Sequence, residues 1–299
     1  MTSAVAETEG PSLEGGSGTE PAPPFGYYAL PSWREAVRRW AVAMPAGGVG
    51  RRLRSLCRRA ALIGWSGAVD LSPFPGQRVR LYPRGNLCEK RVFQASETWE
   101  AEERAALAEA MGQASQPFHF VDAGANVGLY TLAVRALGPI KALAIEADPV
   151  TATRLRTNLA LSGTRPDEVS VAEVALGAQP GTLRLLRDPR NRGAQRVSDG
   201  GAGVEVPADT LLAAVRRASL ARVDALKIDI EGHEAPVLEA FFGAAPRTLW
   251  PGLVIIEAPR DTETPALALL AASGYQMRHR TKMNAILAAP EGAGPNSAE

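Results

Sequence analysis

The 299-residue sequence predicts an α/β fold: a doubly wound, mostly parallel sheet with helices on both faces and an antiparallel closing strand. Three observations carry this. From Phe118 onward, short apolar runs of strand length alternate with helix-length segments, the pattern of a parallel sheet with crossover helices. A glycine-containing turn, residues 124–128, joins the first of these strands to its helix. The last two strand-length segments, Tyr275–Arg280 and Asn284–Ala288, follow one another with no helix between and close the sheet as a pair.

Composition bounds the rest. With 45% hydrophobic and 22% charged residues the chain can build a sizeable core, and a net charge of +1 excludes a basic nucleic-acid coat and a highly charged disordered chain. Two cysteines, Cys57 and Cys88, make no disulfide framework, which points to a reduced, cytoplasmic setting. No apolar run approaches ~18 residues, so no transmembrane segment is expected, and no signal-peptide pattern is visible at the N-terminus.

In chain order, residues 1–30 hold four Glu and no Lys or Arg and read as a disordered acidic tail, as do the Gly- and Pro-rich residues 289–299. Residues 31–70 reverse the sign, with eight Arg against Glu35 and Asp70. Two short helices interrupted around Pro45–Gly50 are expected there, within a basic accessory segment spanning 31–75. The favoured reading is a solvated helical pair with one face on the main domain; the alternative is contact with an acidic lipid surface or a partner. The main domain is expected over 76–288. Val79–Tyr82 and Arg91–Gln94 look β-like, and Glu97–Met111 helical. The alternation then runs through strands Phe118–Val121, Ala142–Ile145, Val169–Ala175, Thr182–Leu186, Asp224–Ile230 and Leu253–Ile256. The helices between are Leu129–Leu137, Pro149–Leu161, Asp209–Ala218, Ala235–Phe242 and Thr264–Ser273. The polar stretch Asp188–Gly203 is either a plain surface loop or a lid that brings Asn191 over an acceptor.

In such sheets ligands bind beyond the carboxyl ends of the strands, and the chemistry-bearing residues fall there. Phe120-Val121-Asp122-Ala123-Gly124-Ala125-Asn126-Val127-Gly128 ends a strand and opens a helix, with Gly124 and Gly128 permitting a tight turn close to a ligand. The dinucleotide fingerprint is not met, since Asn126 and Leu129 stand where its second and third glycines belong. That disfavours a nicotinamide-dependent oxidoreductase. Asp122 suits a ligand with a cationic amine, such as the methionine part of S-adenosylmethionine, with Asn126 beside it. Glu146 follows Gly124 by 22 residues, near the ~20 expected of an acid that accepts from ribose hydroxyls, and Asp148 caps the helix after it. In Leu226-Lys227-Ile228-Asp229-Ile230-Glu231-Gly232-His233-Glu234, strand periodicity puts Lys227, Asp229 and Glu231 on one side. Lys227 either contacts substrate or pairs with a carboxylate such as Asp122 or Glu257; Glu257 closes a further strand. Asp229 or Glu231 is the expected proton acceptor, with Glu234 or His233 behind them. The acidic cluster also suits Mg²⁺, the disfavoured alternative. Cysteine and histidine spacing supports no zinc site.

These residues resemble the FkbM-type methyltransferases over about 76–288. The likeness rests on Val121-Asp122-x-Gly124-Ala125-Asn126-x-Gly128-x-Tyr130-Thr131, on Glu146-x-x-Pro149 with Asn158, on Lys227-Ile228-Asp229-x-Glu231-Gly232-x-Glu234, and on Glu257 with Gly274-Tyr275. Ala147 departs from the proline often found at its position, and no role carries over to His233. The resemblance implies a class I methyltransferase fold with a seven-stranded sheet, S-adenosylmethionine as cofactor, and O-methylation as the usual reaction. The expected acceptor is a hydroxyl on a small molecule, sugar, glycolipid or polyketide. Neutral net charge, 6% aromatic residues and the lack of an Asn/Asp-Pro-Pro-Tyr motif argue against a nucleic acid. A non-catalytic S-adenosylmethionine-binding module is the alternative function.

Overall fold

The structure, a computed structural model, describes residues 23–44, 47–65, 67–188, 191–197 and 203–290. The arginine-rich segment forms helices α1 (Ser32–Val42) and α2 (Gly48–Ala61), joined through buried Ala41, Met44 and Cys57. Strands β1 (Val69–Leu71) and β2 (Val79–Leu81) make an antiparallel ribbon held by the buried Asp70–Arg80 ion pair at 2.8 Å. Asp70 also accepts from the amides of Gly26 (2.8 Å) and Tyr28 (3.2 Å). The tail expected to be disordered through residue 30 is therefore tied down from Pro23 onward, because the ribbon supplies partners for its backbone. Residues 1–22 and 291–299 lie outside the described residues.

A second correction concerns Arg91–Gln94, which is not β-like but belongs to helix α3 (Leu87–Ala95). Asn86 caps the helix by accepting from the Glu89 amide at 3.2 Å, and Val92 and Phe93 are buried on one side. That local start signal outweighs the β-propensity of an isolated apolar pair. Helix α4 (Ala101–Gln113) begins after Glu100, whose left-handed backbone (φ 43°) delays it beyond the expected Glu97.

The main sheet follows in order: β3 (Phe118–Ala123), α5 (Leu129–Arg135), β4 (Ile140–Ile145), α6 (Pro149–Leu161) and β5 (Val169–Ala172). A small sheet intervenes, from β6 (Ala175–Leu176), β7 (Gly181–Asp188), β8 (Asn191–Val197) and β9 (Val204–Asp209), in spatial order β6-β9-β7-β8. The main sheet resumes with α7 (Leu211–Arg217), β10 (Ala225–Ile228), α8 (Glu234–Ala244), β11 (Leu253–Glu257), α9 (Pro265–Ala272), β12 (Gln276–Arg280) and β13 (Asn284–Ala288). The stretch expected as a loop or lid over 188–203 thus carries β8, a hairpin partner of β7. In the adjoining β9, Val206 and Ala208 alternate inward between exposed Glu205 and Pro207, a period-two signal diluted by polar neighbours.

The seven-stranded sheet has the order β12-β13-β11-β10-β3-β4-β5, and β13 runs antiparallel to both of its neighbours. Alternation along β3 sends Phe118 and Phe120 into one core and Val121 and Ala123 into the other, so helices cover both faces. From β3 the chain winds outward through β4 and β5, and from β10 it winds the other way through β11. The crevice between β3 and β10 is a topological switch point, which fixes where a ligand can enter.

Candidate active site

Four adjacent strand ends build one wall. Across the sheet, Glu257 ends β11, Asp229 follows β10, Gly124 follows β3 and Glu146 follows β4. Three strand spacings separate the outer two, roughly 14 Å of backbone. All four line a cleft open to solvent, whose other walls come from α3, from Trp99, Glu100 and Tyr130, and from Met283 and Asn284. The cleft thus opens at the carboxyl ends of the strands.

The glycines of the turn answer to protein neighbours. A Cβ on Gly124 (φ 78°) would lie 1.9 Å from the Asp229 carbonyl oxygen, and one on Gly128 (φ 84°) would lie 2.5 Å from Leu155 of α6. Sequence reasoning placed both glycines for close approach of a ligand; the structure gives that approach to β10 and α6 instead. Gly124 still lines the cleft, and Gly128 does not. Asn126 also takes a left-handed backbone (φ 52°), and its side chain accepts from Asn86 Nδ2 at 2.8 Å.

Glu146 is buried, yet its carboxylate borders the cleft. One oxygen accepts from the Asn126 amide and the other from the Asp148 amide, each at 2.9 Å. Burial pushes its carboxyl up to about 7, against the pull of those two amides. Asp148 does what its sequence position implies, accepting from the Thr151 amide at 2.9 Å to cap α6.

Asp122 is different. It is fully enclosed, does not line the cleft, and spends one oxygen on the Thr131 amide (3.0 Å) and hydroxyl (2.7 Å). Its expected contact with a ligand's amine is corrected accordingly: the carboxylate turns onto α5 and anchors that helix through Thr131. Burial raises its pKa, and the chief opposing influence is Lys227, its register partner on β10.

Lys227 is a buried cation. Its Nζ lies 3.0 Å from Asp229 Oδ2 and 5.2 Å from the Tyr130 ring centroid. Burial works against its charge, but Asp229, Asp122 and Glu100 outweigh it and hold the ammonium above its ordinary range. Asp229 is correspondingly held below the usual carboxylate range: burial opposes this, but Lys227 and a hydrogen bond from Glu257 prevail. Glu257 is pushed up to about 8, first by burial and then by Asp229 and Glu231. At neutral pH the set is an ammonium, an aspartate and a protonated glutamic acid sharing one proton economy.

Glu231 lines the cleft from a left-handed backbone (φ 56°), next to His233. Glu234 does not line it. Its Oε1 turns back to accept from the amides of Ile230 (2.9 Å) and Gly232 (3.2 Å), so the residue expected as a reserve base shapes the turn at the start of α8. Asn191 opens β8, and its side chain lies outside the described residues. Among the described residues no three or more His, Cys, Asp or Glu side chains converge as metal ligands.

Sequence reasoning missed Glu100 and Tyr130 as wall residues. Tyr130 donates to the Glu100 carboxylate, and burial raises both groups' pKa values. Nothing in the local sequence marks Glu100. Asn86 was legible, since an Asn three residues before a Glu is a helix-start pattern.

The sequence model of the FkbM methyltransferase domain matches residues 122–276. No curated protein matches the chain. Among solved structures, a precorrin-6y C5,15-methyltransferase from Geobacter metallireducens GS-15 is similar at 17% identity over 64% of this chain and 88% of that one, with a TM-score of 0.40. The ribosomal protein L11 methylase of Lactobacillus delbrueckii subsp. bulgaricus gives 15% identity over 63% and 79%, TM-score 0.39. The N-terminal domain of human METTL16, solved with SAH, gives 15% over 64% and 69%, TM-score 0.41. The strand order, with its reversed β13, is the class I methyltransferase architecture.

Proposed function

The chain belongs to the FkbM methyltransferase family, and from that premise we propose that it moves a methyl group from S-adenosylmethionine to an acceptor hydroxyl. The observation that carries the reading is the Glu146 carboxylate: buried, fixed by two backbone amides, and facing the cleft one strand from the glycine turn. A carboxylate so placed fits a pair of ribose hydroxyls, because they supply the donors that burial has denied it. The bound cofactor supplies an electrophilic methyl group on a sulfonium. Asn126 and the 124–126 backbone border the cleft between Glu146 and Asp229 and orient the ligand along it.

The acceptor's proton passes to the Asp229–Glu257 pair. Asp229 alone is a poor base, since Lys227 holds its charge; once Glu257 has lost its own proton, the pair can take one from the hydroxyl. The acceptor oxygen would take the methyl group supplied by S-adenosylmethionine in exchange for its proton, and the Asp229–Glu257 pair would hold that proton, so atoms and charge balance. Much of the rate comes from alignment, where well-oriented systems reach ~10⁵–10⁸ M effective molarity. Acceptors with hydroxyls flanked by polar groups suit walls that hold Glu100, Glu231 and Asn284.

The test joins a binding and a turnover measurement. Calorimetric titration should show S-adenosylhomocysteine binding and no NAD binding, and labelled S-adenosylmethionine should transfer its methyl to a member of a broad hydroxyl panel. Binding of NAD alone would overturn the cofactor, and cofactor binding with no transfer to any hydroxyl would leave a binding module in its place.

A further inference from the structure

We propose that the α1–α2 pair docks the protein on an anionic lipid surface. The reading is independent of the reaction assigned to the cleft. Residues 36–69 contain seven Arg and no Asp, Glu or Lys, in a chain whose net charge is only +1. Along and just beyond α2, Val49, Leu53, Leu56, Ala60 and Ile63 recur at helical spacing and so share one stripe. This stripe is not the face that packs inward, which carries Cys57 and Ala61. Val49 is 74% exposed, Leu56 58% and Ile63 65%, so apolar side chains of core type stand in solvent along the helix. On α1, Trp33 and Trp40, seven residues apart, are exposed as well.

The arginines divide into two groups. Arg34, Arg38 and Arg58 turn inward, onto the Ala61 carbonyl, Glu35 and Gln94 respectively. Arg52 and Arg59 stay exposed, one position before Leu53 and Ala60, along one border of the apolar stripe. Arg34 joins α1 to α2, and Arg38 and Arg58 fasten the pair to α3 through the Phe93 carbonyl (3.4 Å) and Gln94 (3.0 Å); Arg52 and Arg59 make no such contact among the described residues. A helix with an apolar stripe bordered by Arg, and with Trp nearby, is built to lie in the plane of a membrane interface. There the stripe enters the acyl boundary while guanidinium groups reach phosphate oxygens. The absence of carboxylates over 36–69 supplies the charge complementarity to an acidic leaflet. No helix among the described residues is long and apolar enough to cross a membrane, so the mode is attachment in the plane.

Vesicle flotation with the full chain tests this, using phosphatidylcholine vesicles with and without about one-third phosphatidylglycerol. Binding to the anionic vesicles alone is expected, with release at high salt and a blue shift of tryptophan emission. Arg52→Gln with Arg59→Gln should weaken it about 30-fold, and Leu53→Ser with Leu56→Ser at least as much. Both double variants should keep wild-type affinity for S-adenosylhomocysteine, which shows that they fold and separates this outcome from failure of the cleft assignment. Failure of the wild type to float with anionic vesicles, or equal binding by the leucine variant, would overturn the proposal. So would a concentration-dependent dimer that the leucine variant abolishes, since a second copy would then be what covers the stripe.

Discussion

Glu146 and Glu257 are the same side chain at the ends of two strands of one sheet, and they line one cleft. Burial raises both. Their partners separate them. Glu146 is held by two neutral backbone amides, with Lys227 a lesser influence, so ligand hydroxyls donating to it would add to the stabilisation of its charge. Glu257 sits beside Asp229 and Glu231, whose negative charges keep a proton on it. One carboxyl is prepared to grip and the other to exchange a proton. The lesson is that position at a strand end gives access to the cleft, while the neighbours' charges assign the task.

The largest expected effect comes from removing what holds the proton-exchanging side together. Lys227→Met leaves Asp122 and Asp229 without their buried cation and should cost ~3–5 kcal/mol of stability in urea unfolding at pH 8. The sign can be checked by acidification. Asp229 has a depressed folded pKa, so its stabilising effect is present above its unfolded value and lost as pH falls through the folded one. The gap between variant and wild type should therefore narrow in acid. A gap independent of pH would mean that Lys227 matters for packing alone.

Next in size, Glu257→Gln should lower turnover ~10²–10⁴-fold while leaving S-adenosylhomocysteine affinity unchanged. Wild-type turnover should rise with pH through about 8, as Glu257 loses its proton, and the variant should lack that rise. Equal turnover in both proteins would remove the pair from the mechanism. Smaller still, Asp122→Asn should reduce stability by about 1–2 kcal/mol without weakening the cofactor product, because its carboxylate serves Thr131 and Lys227 and not the cleft. A selective loss of affinity would restore the ligand contact that the sequence alone implied.

How far the sequence carried these assignments follows the same physics. Helix α6 was legible to the residue because Asp148 and Pro149 mark its start, and the main strands were legible as apolar runs. Lys227, Asp229 and Glu257 stood out as charges at the ends of such runs. What stayed hidden depended on direction: alternation shows which face a residue takes, but not that Asp122 closes on Thr131 or that Glu234 folds back onto Ile230. Strand β9 was hidden because its inward Val206 and Ala208 stand among exposed Glu205 and Pro207, and Glu100 because its place in the wall comes from a turn distant in sequence from the sheet.

Glu146 is the residue on which cofactor binding turns, and its linkage to protons can be measured directly. Ribose hydroxyls that donate to this carboxylate favour its charged form, so the bound pKa must fall below the free value of about 7. Titrating S-adenosylhomocysteine at about pH 8 and about pH 6, in wild type and Glu146→Ala, reads this out. The wild type should bind more weakly at the lower pH, by up to about tenfold per unit below 7, and take up a proton on release of the ligand. The variant should bind ~10–150-fold more weakly at pH 8 and show little further change. Equal affinity in both proteins at both pH values would contradict the assignment of the cleft.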